Sequence, residues 1–132
     1  MSNLTYLSPE WAAEAHRRLT TELTPEKMKY VTSSMLTIYR NCPDGLDRAL
    51  YYSFVDGAID ELSVSEEPFP EAEFTITGDY DVFAAISRAE LGSRSALMRG
   101  KLRLKGNMVK ALSLSVIVDR MNKVLATIPT DY

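Results

Sequence analysis

Apolar positions recur at helical spacing over residues 9–23, where Trp11, Ala12, Ala15, Leu19 and Leu23 share one stripe behind a Ser8-Pro9 start. Thr24-Pro25 repeats that start signal and predicts a short second helix over residues 24–30, with Met28 facing inward. From Ser34 the period falls to two: Leu36 and Ile38 alternate with Met35, Thr37 and Tyr39 until Asn41-Cys42-Pro43-Asp44-Gly45 breaks the run. Leu50, Tyr52 and Phe54 then alternate with Tyr51, Ser53 and Val55. Asp56-Gly57 supplies positive-φ chemistry for a tight turn before Leu62 and Val64 resume the alternation, so the segment reads as a β-hairpin.

A polar loop with two prolines, Glu66-Glu67-Pro68-Phe69-Pro70-Glu71, separates the hairpin from a further strand in which Phe74 and Ile76 alternate with Thr75 and Thr77. Asp79 is the expected N-cap of a helix carrying Val82, Phe83, Ala85, Ile86 and Ala89, and Gly92 is its expected stop. Leu102 and Leu104 oppose Lys101, Arg103 and Lys105 in a last strand. Gly106-Asn107 leads into one long helix over residues 108 to about 128, stopped by Pro129. Helices, three strands, another strand, a helix, a strand and a helix make an α+β order, with neither the regular alternation of a parallel fold nor an internal repeat.

The final helix is the most informative element. Leu114, Ile117, Val118, Met121 and Leu125 form one stripe that a sheet would cover. In its first turns Met108, Val109, Leu112 and Val116 make a second apolar group on the opposite side, where later turns carry Asp119, Arg120 and Lys123. Leaving several such side chains bare costs about 1.5–3 kcal/mol each relative to burial. The second face therefore belongs to ordinary core, to a subunit interface, or to the wall of a ligand cavity, and periodicity does not choose among them.

A chain of 132 residues, 45% hydrophobic, is long enough for one core and reads as one domain. No run approaches a membrane span, and the opening Met1-Ser2-Asn3-Leu4-Thr5-Tyr6 lacks the layout of a signal peptide, so a cytoplasmic protein is expected. One Cys and one His cannot supply a disulfide or the ligand set of a structural zinc site. A net charge of −3 argues against a nucleic-acid partner. That balance hides an asymmetry. From Asp56 to Asp81 nine acids stand without a Lys or Arg, whereas Arg88, Arg94, Arg99, Lys101, Arg103, Lys105 and Lys110 are opposed only by Glu90. Solvated sheet edges are the plainer account; a docking surface for anionic headgroups or partners is the other.

From Tyr51 to Leu125 these motifs fall in an order that resembles the sterol carrier protein family, type two. The correspondence runs through Tyr52-x-Phe54-x-Asp56-Gly57, then Pro70-Glu71-Ala72-Glu73-Phe74-Thr75-Ile76-Thr77, then a helix with Phe83 and Ile86. It continues through Ala96-Leu97-Met98-Arg99-Gly100-Lys101-Leu102-Arg103-Leu104-Lys105-Gly106-Asn107 and an apolar C-terminal helix. The resemblance implies a five-stranded, mostly antiparallel sheet with helices packed on one face. It also implies an apolar tunnel between sheet and helices for a sterol, fatty acid, acyl-CoA or phospholipid. On that basis Met108, Leu112 and Val116 are the leading cavity-lining candidates, joined by Phe54, Phe74, Ile76, Phe83, Ile86, Leu97, Met98, Leu102 and Leu104. It brings a lipid-like partner, transient membrane contact and a homodimer into consideration, and no cofactor. The closing Ile128-Pro129-Thr130-Asp131-Tyr132 differs from the Ser-Lys-Leu signal of peroxisomal members.

Catalysis is not expected. The chain has no Gly-x-Ser-x-Gly elbow, phosphate loop or paired metal motif. His16 reads as a structural histidine at the border of the first helix's stripe, Cys42 as an inert turn residue, and Gly78-Asp79-Tyr80-Asp81 as a helix cap with first-turn acids. Tyr51 and Tyr52 are candidates to hydrogen-bond a ligand's polar end, the plainer reading being ordinary strand tyrosines. The competing class is an interaction module, whose final helix makes a homodimer or docks on an enzyme.

Overall fold

The computed structural model describes residues 3–88 and 90–132. In chain order the elements are β1 (Leu4–Thr5), α1 (Pro9–Glu22), β2 (Ser33–Arg40), β3 (Arg48–Val55), β4 (Ala58–Ser65), β5 (Phe74–Asp79), α2 (Tyr80–Ser87), α3 (Ser93–Met98), β6 (Leu102–Lys105), α4 (Met108–Ser113), α5 (Ser115–Leu125) and β7 (Thr130–Asp131). Five strands form one sheet in the order β4-β3-β2-β5-β6. All neighbours run antiparallel except β2 and β5, which are parallel. The helices share one core with the inner face of this sheet, as the sequence implied.

Local chemistry explains most of the boundaries. Ser8 accepts a hydrogen bond from the Trp11 amide at 3.2 Å and Pro9 opens α1, which buries Trp11, Ala15 and Leu19 at four-residue spacing. The hairpin turns on Asp56 and Gly57, both at positive φ. Gly57 has a second constraint: a Cβ there would sit 2.5 Å from the Pro25 carbonyl oxygen, so the turn lies directly on the segment before β2. Gly78 leaves room inside the sheet, where a Cβ would come 2.6 Å from a Leu102 methyl and 3.2 Å from the Phe83 ring.

Several expectations are corrected. Residues 24–30 form turns instead of a helix. Lys29 and Tyr30 take positive φ, and Val31 O accepts from the Gly57 amide at 2.8 Å, so docking of the hairpin outweighs the Thr24-Pro25 start signal. Met28 is nevertheless buried. Asp79 occupies the N-cap position of α2, but its carboxylate accepts from Asn41 Nδ2 at 2.9 Å and not from the helix amides. α2 closes at Ser87; Ala89, expected on its stripe, lies outside the described residues, as do Met1 and Ser2. Gly92 does not stop that helix but stands at the N-cap of the unforeseen α3. The long last helix is broken at Leu114 into α4 and α5, and α5 ends at Leu125. A parallel pairing of β1 with β7 ties the two ends of the described chain together.

Candidate functional site

Strand register aligns three rows of side chains across the inner face of the sheet. Leu62, Tyr52, Met35 and Phe74 form one row, and Val64, Leu50, Thr37, Ile76 and Leu104 the next. Arg48, Tyr39, Gly78 and Leu102 form the third. Opposite them α5 presents buried Ile117, Met121 and Leu125 with half-buried Val118.

The two layers do not close completely. One cavity of about 20 Å³ lies between Met35, Tyr52 and Phe54 on the sheet and Leu114, Ile117 and Val118 on the helix side. A second, of about 50 Å³, is bordered by Thr37, Tyr39, Ile76 and Leu102 and by Phe83, Ile86, Val118 and Met121. A third, of about 40 Å³, lies beneath α4 among Ile76, Leu97, Leu102, Leu104, Ala111, Leu112 and Val118. Val118 borders all three and stands at their junction. Each has room for little more than a few waters, whereas a ligand of drug size occupies roughly 300 Å³ or more. An occupant of that size requires the layers on either side of Val118 to separate.

The polar groups facing the first two cavities are hydroxyls and the Asn122 amide. Tyr6 Oη donates to Tyr39 Oη at 3.2 Å and pairs with Ser87 Oγ at 2.8 Å, and Tyr52 Oη donates to Met35 Sδ at 2.8 Å. Burial pushes the Tyr52 hydroxyl up to about 12 and holds Tyr39 well above the usual tyrosine range, so both stay protonated. No ionised side chain borders the first two cavities; Arg94 borders the third. Such a space suits an apolar body with an uncharged polar end inside, or with an anionic end at the α3 side, because an unpaired charge is costly to bury.

The candidates read from sequence divide into three groups. Phe54, Ile76, Phe83, Ile86, Leu97, Leu102, Leu104 and Leu112 border the cavities. Phe74 is wholly buried but borders none of the three; its ring fills the place where a Cβ on Gly106 would come within 2.8 Å. Met98, Met108 and Val116 lie on the exterior, exposed by 68%, 45% and 47%. Of the three places open to the second apolar face of the last helix, ordinary core is excluded for Met108, Val109 and Val116, Val109 being 79% exposed, and no residue of α4 is buried. Met35, Tyr39, Val118 and Met121 border the space without having been singled out. The β2 alternation carried the first two and the α5 stripe the others, but periodicity does not distinguish a solid contact from a cavity wall.

Two larger concavities, of about 460 and 500 Å³, lie outside this layer around Leu7, Pro9 and Arg48. Arg48 is bound there by Asp44 and lies 3.9 Å from Glu66, so its charge is already compensated. Cys42 is buried, its thiol donates to Tyr39 O at 3.6 Å, and burial pushes the thiol up, away from nucleophilic thiolate. His16 is half-buried on α1. Among the described residues no three His, Cys, Asp or Glu side chains converge on a metal position, and no helix is long and apolar enough to cross a membrane.

A five-stranded mixed sheet covered on one face by helices, with apolar space at the join, defines an α+β domain of the sterol-carrier class. The chain belongs to the SCP-2 sterol transfer family, whose model matches residues 18–119. It is similar to a Caenorhabditis elegans protein named non-specific lipid-transfer protein-like 1, with 29% identity over 91 residues, covering 69% of this chain and 77% of that one. A crystal structure of sterol carrier protein 2 superposes with a TM-score of 0.80 at 24% identity, covering 93% of this chain and 98% of its own. The solution structure of a conserved hypothetical protein from Thermus thermophilus gives 0.79 at 23% identity, covering 99% and 94%. The two structural likenesses speak to the fold. Membership of the family supports lipid binding or transfer in general.

Proposed function

We propose that the chain is a non-catalytic carrier that binds one lipid-like molecule, such as a fatty acid, acyl-CoA, sterol or phospholipid, between the sheet and the α3–α5 layer. The observation that carries this reading is the run of three apolar cavities meeting at Val118. The drive is transfer of alkyl surface out of water, about 0.8 kcal/mol per methylene, which offsets the cost of parting the Val118 contacts. The neutral polar lining of the inner space, hydroxyls and the Asn122 amide, favours ligands whose buried polar group is neutral, with a carboxylate or phosphate held at the Arg94 side.

Filling the junction tests this directly. Val118→Trp should weaken uptake of a fluorescent fatty acid by at least about tenfold while costing about 1–3 kcal/mol of stability, the usual penalty of overpacking. Equal uptake by wild type and a folded Val118→Trp variant would refute the assignment of the site, and wild-type protein that takes up neither fatty-acid nor sterol probes would refute the carrier role. The competing interaction-module reading draws on the exposed Met98, Met108, Val109 and Val116. It predicts a dimer in sedimentation that Val109→Asp breaks.

A further inference from the structure

Three buried hydroxyls border the cavity of about 50 Å³, those of Tyr6, Tyr39 and Ser87, and their protons can be followed one by one. Tyr6 Oη donates to Tyr39 Oη at 3.2 Å and lies 2.8 Å from Ser87 Oγ. A phenol has one proton. Having given its own to Tyr39, Tyr6 must accept at Ser87, so the chain of donors runs from Ser87 through Tyr6 to Tyr39. The Tyr39 proton comes last, and among the described residues no side chain or carbonyl accepts it. Tyr39 is 3% exposed, and a donor buried without an acceptor is costly. Burial also keeps that proton in place, holding the phenol well above the usual tyrosine range. The other hydroxyls of the cavity differ: Ser93 Oγ donates to Asp119 at 2.8 Å and Tyr52 Oη to Met35 Sδ at 2.8 Å. Thr37 and half-buried Asn122 complete the polar border, and each of these groups can both donate and accept.

An unspent donor at the wall of an apolar cavity selects a ligand oxygen that can accept from it. A hydrocarbon end leaves the proton unmet. An ionised carboxylate could take it, but no Lys or Arg borders this cavity, and one hydrogen bond does not offset the burial of an unpaired charge. A hydroxyl meets every requirement: it is neutral, it accepts from Tyr39, and its own proton can pass to Asn122 or Thr37. We propose that Tyr39 is the specificity-determining residue of the site, donating its phenol proton to a lipid alcohol that enters this cavity hydroxyl first. Acids instead keep their carboxylate at the third cavity, beside Arg94, and leave Tyr39 facing alkyl chain. This inference rests on the carrier reading and assigns the ligand class within it.

The test competes decan-1-ol and decanoate against a bound fluorescent fatty acid at about pH 8, where the acid is ionised. Tyr39→Phe should lower the affinity for decan-1-ol relative to that for decanoate by about tenfold, the worth of one buried hydrogen bond. The variant removes only the end of the chain: the Tyr6 proton can turn to Ser87 Oγ, since either of that pair can donate. A second measurement needs no variant. In wild-type protein carrying carbon-13 at tyrosine Cζ, decan-1-ol should move the Tyr39 resonance further than decanoate does. An affinity ratio that Tyr39→Phe leaves within about twofold of wild type, or a Tyr39 resonance that answers both compounds alike, would overturn the proposal and leave the carrier standing. Wild-type protein that takes up neither the fluorescent acid nor either competitor would sink the carrier reading and this one with it.

Discussion

Tyr6, Tyr39 and Tyr52 place phenolic hydroxyls in the interior, where each is neutral. Desolvation raises all three, which makes the fold sensitive to alkali. In the unfolded chain a tyrosine ionises near pH 10, whereas buried Tyr52 holds its proton to about 12. The resulting stability is fully present below pH ~10 and is lost as pH rises from there through the folded-state values. Tyr52 alone should account for on the order of 2 kcal/mol of that loss. Urea midpoints should therefore drop between about pH 9 and about pH 12, and less steeply in Tyr52→Phe. A flat profile, or one that Tyr52→Phe leaves unchanged, would contradict the buried neutral state. Single residues also mark how far the site can be read from sequence. Tyr52 and Phe54 stand out by alternation, yet Val118 sits on an ordinary helical stripe, and only the facing rows of Met35 and Ile76 reveal that it borders empty space.

At the scale of elements, strands with strong local signals were legible: the period-two runs give β2, β3 and β5 to within about two residues at each end, and the Asp56-Gly57 turn with Leu62 and Val64 gives the existence of β4 but not its start at Ala58. What escaped was decided by distant contact. β1 and β7 are two residues each and exist through one another. Residues 24–30 carry a helix start but yield to the hairpin, whose Gly57 amide donates to Val31 O and whose turn lies against Pro25, the Pro25 carbonyl accepting instead from the Tyr30 amide. The break at Leu114 has neither Pro nor Gly to announce it. It follows instead from different demands on the two sides, α5 pressing Ile117, Met121 and Leu125 into the core while α4 buries nothing. Local stability should follow this division. Amide hydrogen exchange is expected to be at least about tenfold faster in α4 than in the core-facing turns of α5, and slower in α4 once a ligand occupies the cavity beneath it. Equal protection of the two helices would mean that they behave as the single rigid helix read from sequence.

For the whole molecule, the sheet, one-sided helices and family follow from patterns in the chain, while the state of the interior does not. Sequence led to a cavity walled by Met108, Leu112 and Val116; of these the structure brings only Leu112 to the cavities, which are narrow and divided by Val118. The account thus requires the protein to widen around its ligand between the sheet and α5. Methyl NMR spectra recorded with and without a saturating fatty acid or sterol test this most directly. The account predicts shifts at Ile76, Leu102, Val118 and Leu125, with exposed Val109 unmoved. Shifts confined to Val109 and Val116, or none at any methyl, would contradict it.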